Sequence, residues 1–199
     1  MLEDFLPLVS KPGRYIDSEI NAVHKDLSRV ATKVCLFFPD AYEVGMSHLG
    51  LRILYHILNK RPDTACERVF SPWPDYEEKL RASGRPLRSL ESGLPLAEFD
   101  IIGVTLQYEL SYSNILAGLE LAGIPLRSSQ RNDGHPVIVA GGPCAVNPEP
   151  LSDFVDVFFI GEAEEAIHEL IETRQAERSR SAFLEVISRH EGFYVPALG

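Results

Sequence analysis

Residues Pro136 to Glu165 read PVIVAGGPCAVNPEPLSDFVDVFFIGEAEE and carry the clearest fold signal in this chain. They contain two short apolar runs, Val137 to Ala140 and Val157 to Ile160, and each run ends in glycine. Apolar runs this short, bounded by turn residues, are typical of strands buried on both faces of a parallel sheet. Ligands bind such sheets at the carboxyl ends of the strands. The stretch therefore predicts an α/β fold with a ligand-binding edge at these glycines.

The rest of the chain alternates strand and helix signals. Further strands are predicted at Lys33 to Phe38, Ala65 to Phe70 and Asp100 to Leu106. Helices are predicted at Leu2 to Val9, Ser47 to Lys60, Asp75 to Ala82, Ser111 or Ser113 to Leu121, Glu164 to Glu172 and Ser181 to Arg189, with Ser47 and Ser111 or Ser113 as caps. Strands separated by helices imply right-handed crossovers and a parallel sheet. We predict a doubly wound, mostly parallel five-stranded sheet of flavodoxin-like type, preceded by an N-terminal extension over residues 1–31.

Composition excludes several classes of partner. The 199 residues carry a net charge of -10 and form no dense basic run, which argues against a nucleic-acid surface and an anionic membrane. No apolar stretch reaches the ~20 residues of a membrane span, and acids precede the apolar residues at the N-terminus, unlike a secretory signal. We therefore predict a cytoplasmic protein.

The three cysteines form no CxxC pair, so we predict no metal site in this chain and an inert Cys144.

Three loops that follow predicted strands carry a recognisable combination of residues. Asp40-x-Tyr42-x-x-Gly45 follows the first strand, Thr105-Leu106 ends the third and Gly141-Gly142 follows the fourth. The combination resembles Rossmann-like cobalamin-binding domains, which carry Asp-x-His-x-x-Gly, Ser-x-Leu and Gly-Gly in these places. The segments Gly45 to Gly50, Gln107 to Tyr112 and Gly141 to Cys144 further resemble the N-terminal domain of one family of uncharacterised radical SAM proteins, over most of residues 8–196.

The resemblance implies a cofactor site and a domain organisation. Cobalamin-type binding would use Asp40, Tyr42, Gly45, Ser47, His48, Thr105, Gln107, Gly141, Gly142, Pro143, Gly161 and Glu162. Residues 32–176 would form the cobalamin-binding-like domain, and residues 177–199 a helix and linker toward a radical SAM domain. This chain lacks the Cys-x-x-x-Cys-x-x-Cys motif, so the [4Fe-4S] cluster and S-adenosylmethionine would belong to that downstream domain. We predict no catalytic residue in this chain.

The chain departs from the cobalamin-binding pattern at one decisive position. Tyr42 stands where that family has its cobalt-ligating histidine, and a neutral phenol is a poor ligand. We therefore expect no histidine from this position on cobalt. His48 comes six residues later and is expected to cap or pack at the start of a helix.

Several functions remain open from the residues alone. The domain binds cobalamin without the histidine, or it has lost the cofactor and serves as an interaction or substrate-docking module on the catalytic barrel. A third alternative is an independent small-molecule binder of flavodoxin-like fold. Gly141 and Gly142 fit either a tight strand end or close approach of a ligand. Glu162, Glu164 and Glu165 also suit the dipole at a helix start without any chemical role.

Overall fold

A computed structural model describes residues 4–199 and places one sheet at the centre of the chain. Its strands are β1 (Thr32–Phe38), β2 (Thr64–Phe70), β3 (Ile101–Thr105), β4 (Val137–Gly141), β5 (Val157–Phe159) and β6 (Phe193–Tyr194). Within the described residues the strand order is β2-β1-β3-β4-β5-β6. The first five strands are parallel, and β6 pairs antiparallel with β5. The predicted fold class is confirmed, because the order of the first five strands is that of flavodoxin-like sheets.

Helices cover both faces of this sheet. They are α1 (Tyr42–Ser47), α2 (Leu49–Lys60), α3 (Pro74–Ser83), α4 (Tyr112–Leu121), α5 (Ala163–Ala176) and α6 (Arg180–Ile187). Buried residues of α3 and α4 share one apolar cluster with one face of the sheet. Buried residues of α2, α5 and α6 share a second cluster with the other face. The chain is therefore doubly wound, and the two clusters form its core.

The helix predicted from Ser47 to Lys60 is present as α2 (Leu49–Lys60), but its predicted cap is wrong. A short helix that was not predicted, α1, precedes it, and the extended backbone of His48 (φ -76°, ψ 118°) separates the two. The predicted cap Ser47 is instead the last residue of α1, where its hydroxyl donates to the Val44 carbonyl over 2.8 Å. His48 caps α2, because its Nδ1 accepts the Leu51 N–H over 3.2 Å. The expectation that His48 caps or packs at a helix start is confirmed, and the predicted cap by Ser47 is wrong.

Three other predictions about elements need correction. Ser111 occupies the N-cap position of α4, as one of the two predicted alternatives, but it makes no side-chain capping hydrogen bond, because its hydroxyl donates to the Tyr108 carbonyl. The sheet has β6 in addition to the five predicted strands. The predicted helix from Leu2 to Val9 lies partly outside the described residues, and within them Leu6–Leu8 forms a 3-10 turn.

One ion pair connects the end of α2 to the start of β2. Both Asp63 carboxylate oxygens accept from the Arg61 guanidinium over 3.0 Å, and the Thr64 hydroxyl donates to the same carboxylate over 2.9 Å. These hydrogen bonds, the Arg61 contact foremost, lower the pKa of Asp63 from 3.8 to about 2. The ionised carboxylate therefore stabilises the folded state.

We expect Asp63→Asn to reduce stability at pH 7 more than at low pH. A carboxyl group whose pKa is lowered on folding contributes its full stability above its ordinary pKa, and this is lost as pH falls through the folded value. The variant should be less stable by up to about 1 kcal/mol at pH 7, because the pair is partly exposed. The difference from the unaltered chain should shrink between pH 4 and pH 2.5 in urea unfolding. A difference that stays constant over this range would contradict the assignment.

Candidate functional site

A cavity of about 250 Å³ lies between the sheet and helices α2 and α5, and it opens at the carboxyl edge of the sheet. Strands β1, β3 and β4 form one wall, and α2 and α5 form the other. In sheets of this strand order, the chain reverses its direction of winding between β1 and β3, which is where ligands bind. The cavity includes residues of both strands, so it occupies the position that the topology favours for a ligand.

The lining of this cavity is divided by polarity. We call its deep part the floor, which consists of Val34, Leu36, Ile101, Val139, Leu170 and Ile171. We call its outer part the mouth, which consists of His48, Thr105, Gln107, Gly141, Gly142, Gly161, Glu162 and Glu164. Every floor residue is apolar, whereas the polar side chains of the lining lie at strand ends and helix starts. The cavity therefore suits a ligand with an apolar end and a polar attachment.

Two glycines keep this cavity open. Gly141 follows Val137 and Val139 on the same face of β4, since side chains alternate along a strand. A Cβ on Gly141 would meet nothing nearer than the Phe159 carbonyl oxygen at 3.7 Å, so the missing side chain leaves open space. A Cβ on Gly103 would lie 3.0 Å from Leu36 Cδ2. Side chains at these two positions would occupy space that now belongs to the cavity.

The glycine after β4 has a different role. Gly142 has φ +112°, and a Cβ there would lie 2.9 Å from the Leu106 carbonyl oxygen. This backbone conformation is strained for any residue with a side chain. Gly142 therefore allows the chain to turn sharply beside β3, which brings the mouth residues of the two strands together.

Three polar side chains of the mouth have defined hydrogen bonds or ring contacts. The Gln107 amide donates to the Thr105 hydroxyl oxygen over 2.6 Å. His48 Nδ1 accepts from the backbone of α2, so in the neutral ring the proton is on Nε2. The His48 ring lies 5.2 Å from the ring of Phe38, which fixes its plane. The mouth therefore offers hydrogen-bonding groups whose positions are held by the fold.

The structure brings together part of the predicted site. Seven of the twelve predicted cofactor residues line the cavity: His48, Thr105, Gln107, Gly141, Gly142, Gly161 and Glu162. The other five lie outside its lining: Asp40, Tyr42, Gly45, Ser47 and Pro143. Four of these five, all except Pro143, lie in the loop after β1 or in α1.

Tyr42 contacts the N-terminal extension and β2. Its hydroxyl donates to the Glu19 carboxylate, and its ring meets the Phe70 ring edge-on with centroids 5.4 Å apart. Burial and the hydrogen bond to Glu19 raise the pKa of Tyr42 to about 12. The phenol is therefore a poorer metal ligand at neutral pH than an ordinary tyrosine. Asp40 accepts from the Ala41 N–H over 2.6 Å and from the hydroxyl of Tyr108, which follows β3.

Gly45 serves packing in the structure. It is buried in α1, and a Cβ there would lie 2.3 Å from Phe70 Cε1 and 3.0 Å from Phe38 Cγ. Contacts this short do not occur between real atoms, so a side chain would force α1 away from β1 and β2. The glycine of the Asp-x-Tyr-x-x-Gly segment thus allows a helix to approach two aromatic rings closely.

We expect Gly45→Ala to lower the free energy of unfolding by about 1–3 kcal/mol, as overpacking of a core usually does. Alanine is favoured over glycine inside helices by about 1 kcal/mol, so a loss would show that the clash dominates. Urea unfolding measures the effect. Gly13→Ala is the control, because a Cβ on Gly13 meets nothing within 4 Å. Equal stability of the two variants would contradict the packing role of Gly45.

The sequence did not reveal the helix wall of the cavity. Ala166 and Ile167 from α5 and Phe193 from β6 line it, and none was predicted as a site residue. The apolar side of α5 was visible in the sequence as Ile167, Leu170 and Ile171. Nothing in that pattern distinguishes a helix that seals against a sheet from one that leaves a cavity.

Two further observations concern the described part of the chain. Among residues 4–199, no group of three or more His, Cys, Asp or Glu side chains is placed to hold a metal ion. None of the helices described in this range has both the length and the apolar character needed to cross a bilayer.

Comparison with known proteins identifies related sequences. A family model described as "Radical SAM proteins, N-terminal" matches residues 50–196, which include β3 to β5, α5 and most of the cavity lining. An uncharacterized protein of Methanocaldococcus jannaschii is 28% identical over 137 residues, which are 68% of this chain and 25% of the relative. The chain thus spans about a quarter of the length of that relative. No solved structure matches the chain.

Proposed function

The chain belongs to the family of N-terminal domains of radical SAM proteins, and on this premise we propose that it is a non-catalytic domain that binds cobalamin. In this proposal the cavity between the sheet and helices α2 and α5 receives the lower nucleotide of the cofactor. The corrin ring lies over the glycine-rich mouth. The chain's own residues bind and orient the cofactor, which when bound supplies radical or group-transfer chemistry at cobalt.

The size and polarity of the cavity are the observation that carries this proposal. An apolar cavity of about 150 Å³ binds benzene, so a cavity of about 250 Å³ has room for a bicyclic ring. The lower nucleotide of cobalamin joins such a ring to a sugar and a phosphate. The apolar floor matches the ring, and the hydroxyl of Thr105 and the amide of Gln107 at the mouth match the hydrogen-bonding groups of the sugar. Gly141 leaves open space at the mouth for a large ring.

The floor fits the ring of the nucleotide, and the chain provides no ligand for cobalt at the predicted position. The Tyr42 phenol points to Glu19 and stays protonated, as its raised pKa requires. His48 Nδ1 is occupied by the Leu51 N–H. We therefore propose that cobalamin is held here through its nucleotide and corrin ring, without a histidine from the Tyr42 position.

The proposal places the radical chemistry elsewhere in the same protein. The [4Fe-4S] cluster and S-adenosylmethionine belong, in this proposal, to a downstream radical SAM domain. Residues 32–176 are then the cobalamin-binding unit, residues 1–31 an extension of it, and residues 177–199 a helix and linker toward that domain. The match covers only 25% of the M. jannaschii relative, which is consistent with a further domain in that protein.

Exposed apolar residues at the carboxyl edge of the sheet favour a second function, which is docking on another domain. Leu49, Leu110 and Val146 are 67%, 87% and 70% exposed, and they follow β1, β3 and β4 respectively. Loops that follow parallel strands meet at one edge of the sheet. These side chains would suit a domain that docks on the radical SAM barrel and carries no cofactor. In that case Leu110→Asp in the full-length protein should raise protease cleavage between the two domains.

A binding experiment separates the two functions. Hydroxocobalamin is added to the purified chain, the mixture is desalted, and the visible spectrum of the protein fraction is recorded. Cobalamin binding predicts that corrin absorption stays with the protein at close to one equivalent. A colourless protein fraction would overturn the cobalamin proposal and leave the docking function.

A further inference from the structure

The floor of the cavity is entirely aliphatic, and corrinoids differ in the polarity of the lower base that would lie on it. We infer that the cavity selects a corrinoid whose lower base is a benzimidazole over one whose lower base is adenine. This inference rests on the proposed function, and it concerns which member of the cofactor class the chain accepts.

The floor offers no side-chain hydrogen bond among the described residues. Its six side chains are all aliphatic. The backbone beside them is already paired, since Val139 aligns with Gly103 on one side and with Val157 on the other within the parallel ladder. Adenine carries an exocyclic amino group and ring nitrogens that are hydrogen-bonded in water. Burial on this floor would leave those groups without partners, which is unfavourable.

The polar groups of the mouth lie at the outer end of the floor, about 7 Å along the strand from the level of Val139, which aligns with Gly103, and farther from the deepest residues. Thr105 and Ile101 lie on the same face of β3, four residues apart, which is about 13 Å along a strand. Gln107 and Glu162 lie beyond the ends of β3 and β5. No lysine or arginine lines the cavity within residues 4–199. The hydrogen-bonding groups of the mouth therefore face the sugar end of a nucleotide, and the floor faces the base.

A benzimidazole loses far less on entering this floor. Its methyl groups and benzene ring gain from leaving water, and its polar nitrogens are fewer than those of adenine. We expect the adenine corrinoid to bind about 10- to 100-fold more weakly, which corresponds to about 1.4–2.8 kcal/mol. A site that leaves one or two polar groups of a ligand unpaired discriminates by this order of magnitude.

Equilibrium dialysis of the purified chain tests the inference. The two probes are hydroxocobalamin and the analogue with adenine as its lower base. Each dissociation constant is corrected for the free energy of detaching that base from cobalt, which acid titration of the free corrinoid gives. Preference for the benzimidazole form supports the inference. Equal affinity overturns it and leaves the proposed function intact, whereas binding of neither corrinoid overturns both.

A matched pair of variants assigns the preference to the floor. Val139→Thr keeps the side-chain shape and adds a hydroxyl to the floor. The hydroxyl offers adenine a hydrogen-bond partner, so the ratio of the two dissociation constants should fall several-fold. Val69→Thr makes the same change in β2, where the side chain belongs to the cluster on the opposite face of the sheet. That variant should leave the preference unchanged. The free energy of detaching each base from cobalt is a property of the free corrinoid and is the same for both variants. It therefore cancels when the preferences of the two variants are compared. An equal effect of both substitutions would contradict the role of the floor.

Discussion

Asp156→Ala is expected to lower the free energy of unfolding by about 3–5 kcal/mol, the usual cost of breaking a buried ion pair from one side. Asp156 is 1% exposed and lies just before β5. Its carboxylate accepts from the Arg131 guanidinium over 2.9 Å and from the Ile138 N–H over 2.7 Å, and it also contacts Arg180 and the Ser128 hydroxyl. Its removal would leave two buried guanidinium groups without their carboxylate.

Urea unfolding followed by circular dichroism measures this effect. Asp153→Ala provides the control. Asp153 lies three residues before Asp156 in the chain, but its ion pair with Arg127 is exposed at the surface. Exposed pairs contribute at most about 1 kcal/mol, so the control should change little. Asp156→Asn should fall between the two, since it keeps the shape of the side chain but loses its charge. A loss below about 1 kcal/mol for Asp156→Ala would show that this carboxylate does not hold the start of β5.

Ala166→Leu is expected to weaken hydroxocobalamin binding at least about 100-fold, a change of about 2.8 kcal/mol. Ala166 lies on α5 and lines the cavity, so the larger side chain would fill the volume proposed for the lower nucleotide. The same substitution should leave the domain as stable as before or more stable by about 0.5–2 kcal/mol, because it fills a cavity. Binding and stability therefore change in opposite directions, which distinguishes blockage of the site from unfolding.

Ala82→Leu is the matched control for this variant. Ala82 is exposed on α3, on the opposite side of the sheet from the cavity. It should bind hydroxocobalamin as the unaltered chain does. Unchanged binding by Ala166→Leu, with the variant still folded, would show that the cofactor does not enter the cavity.

The fold was largely predictable because its signals are local. Four of the first five strands are built around a short apolar run, and a run such as Val137 to Ala140 predicts a buried strand by itself. In β2, Glu67 and Arg68 interrupt the apolar residues, so its signal is weaker. The sixth strand, Phe193–Tyr194, was not predicted because two residues carry no periodicity.

Helix α1 (Tyr42–Ser47) was not predicted, because six residues that include Glu43, Gly45 and Ser47 show no clear apolar periodicity. Ser47 was predicted as the cap of α2 because serine is a preferred cap residue, and the structure gives that role to His48, one residue later.

The candidate site was predictable only where it depends on topology. Residues at strand ends, such as Thr105 and Gly141, meet at one edge in any parallel sheet, and the structure places them at one cavity. Tyr42 and Gly45 were assigned by motif position, but their contacts are decided by partners far along the chain. Glu19 is 23 residues before Tyr42, and Phe70 is 25 residues after Gly45. The cavity itself depends on how α5 sits above the sheet, which no local motif encodes.

The most direct test compares hydroxocobalamin with hydroxocobinamide, which has the corrin ring but no lower nucleotide. Equilibrium dialysis with the unaltered chain gives a dissociation constant for each. If the nucleotide enters the cavity between the sheet and helices α2 and α5, cobinamide should bind at least about 100-fold more weakly. Ala166→Leu should then abolish this difference by weakening only the cobalamin complex. Equal affinity of the unaltered chain for the two corrinoids would contradict the assignment of the cavity as a nucleotide site.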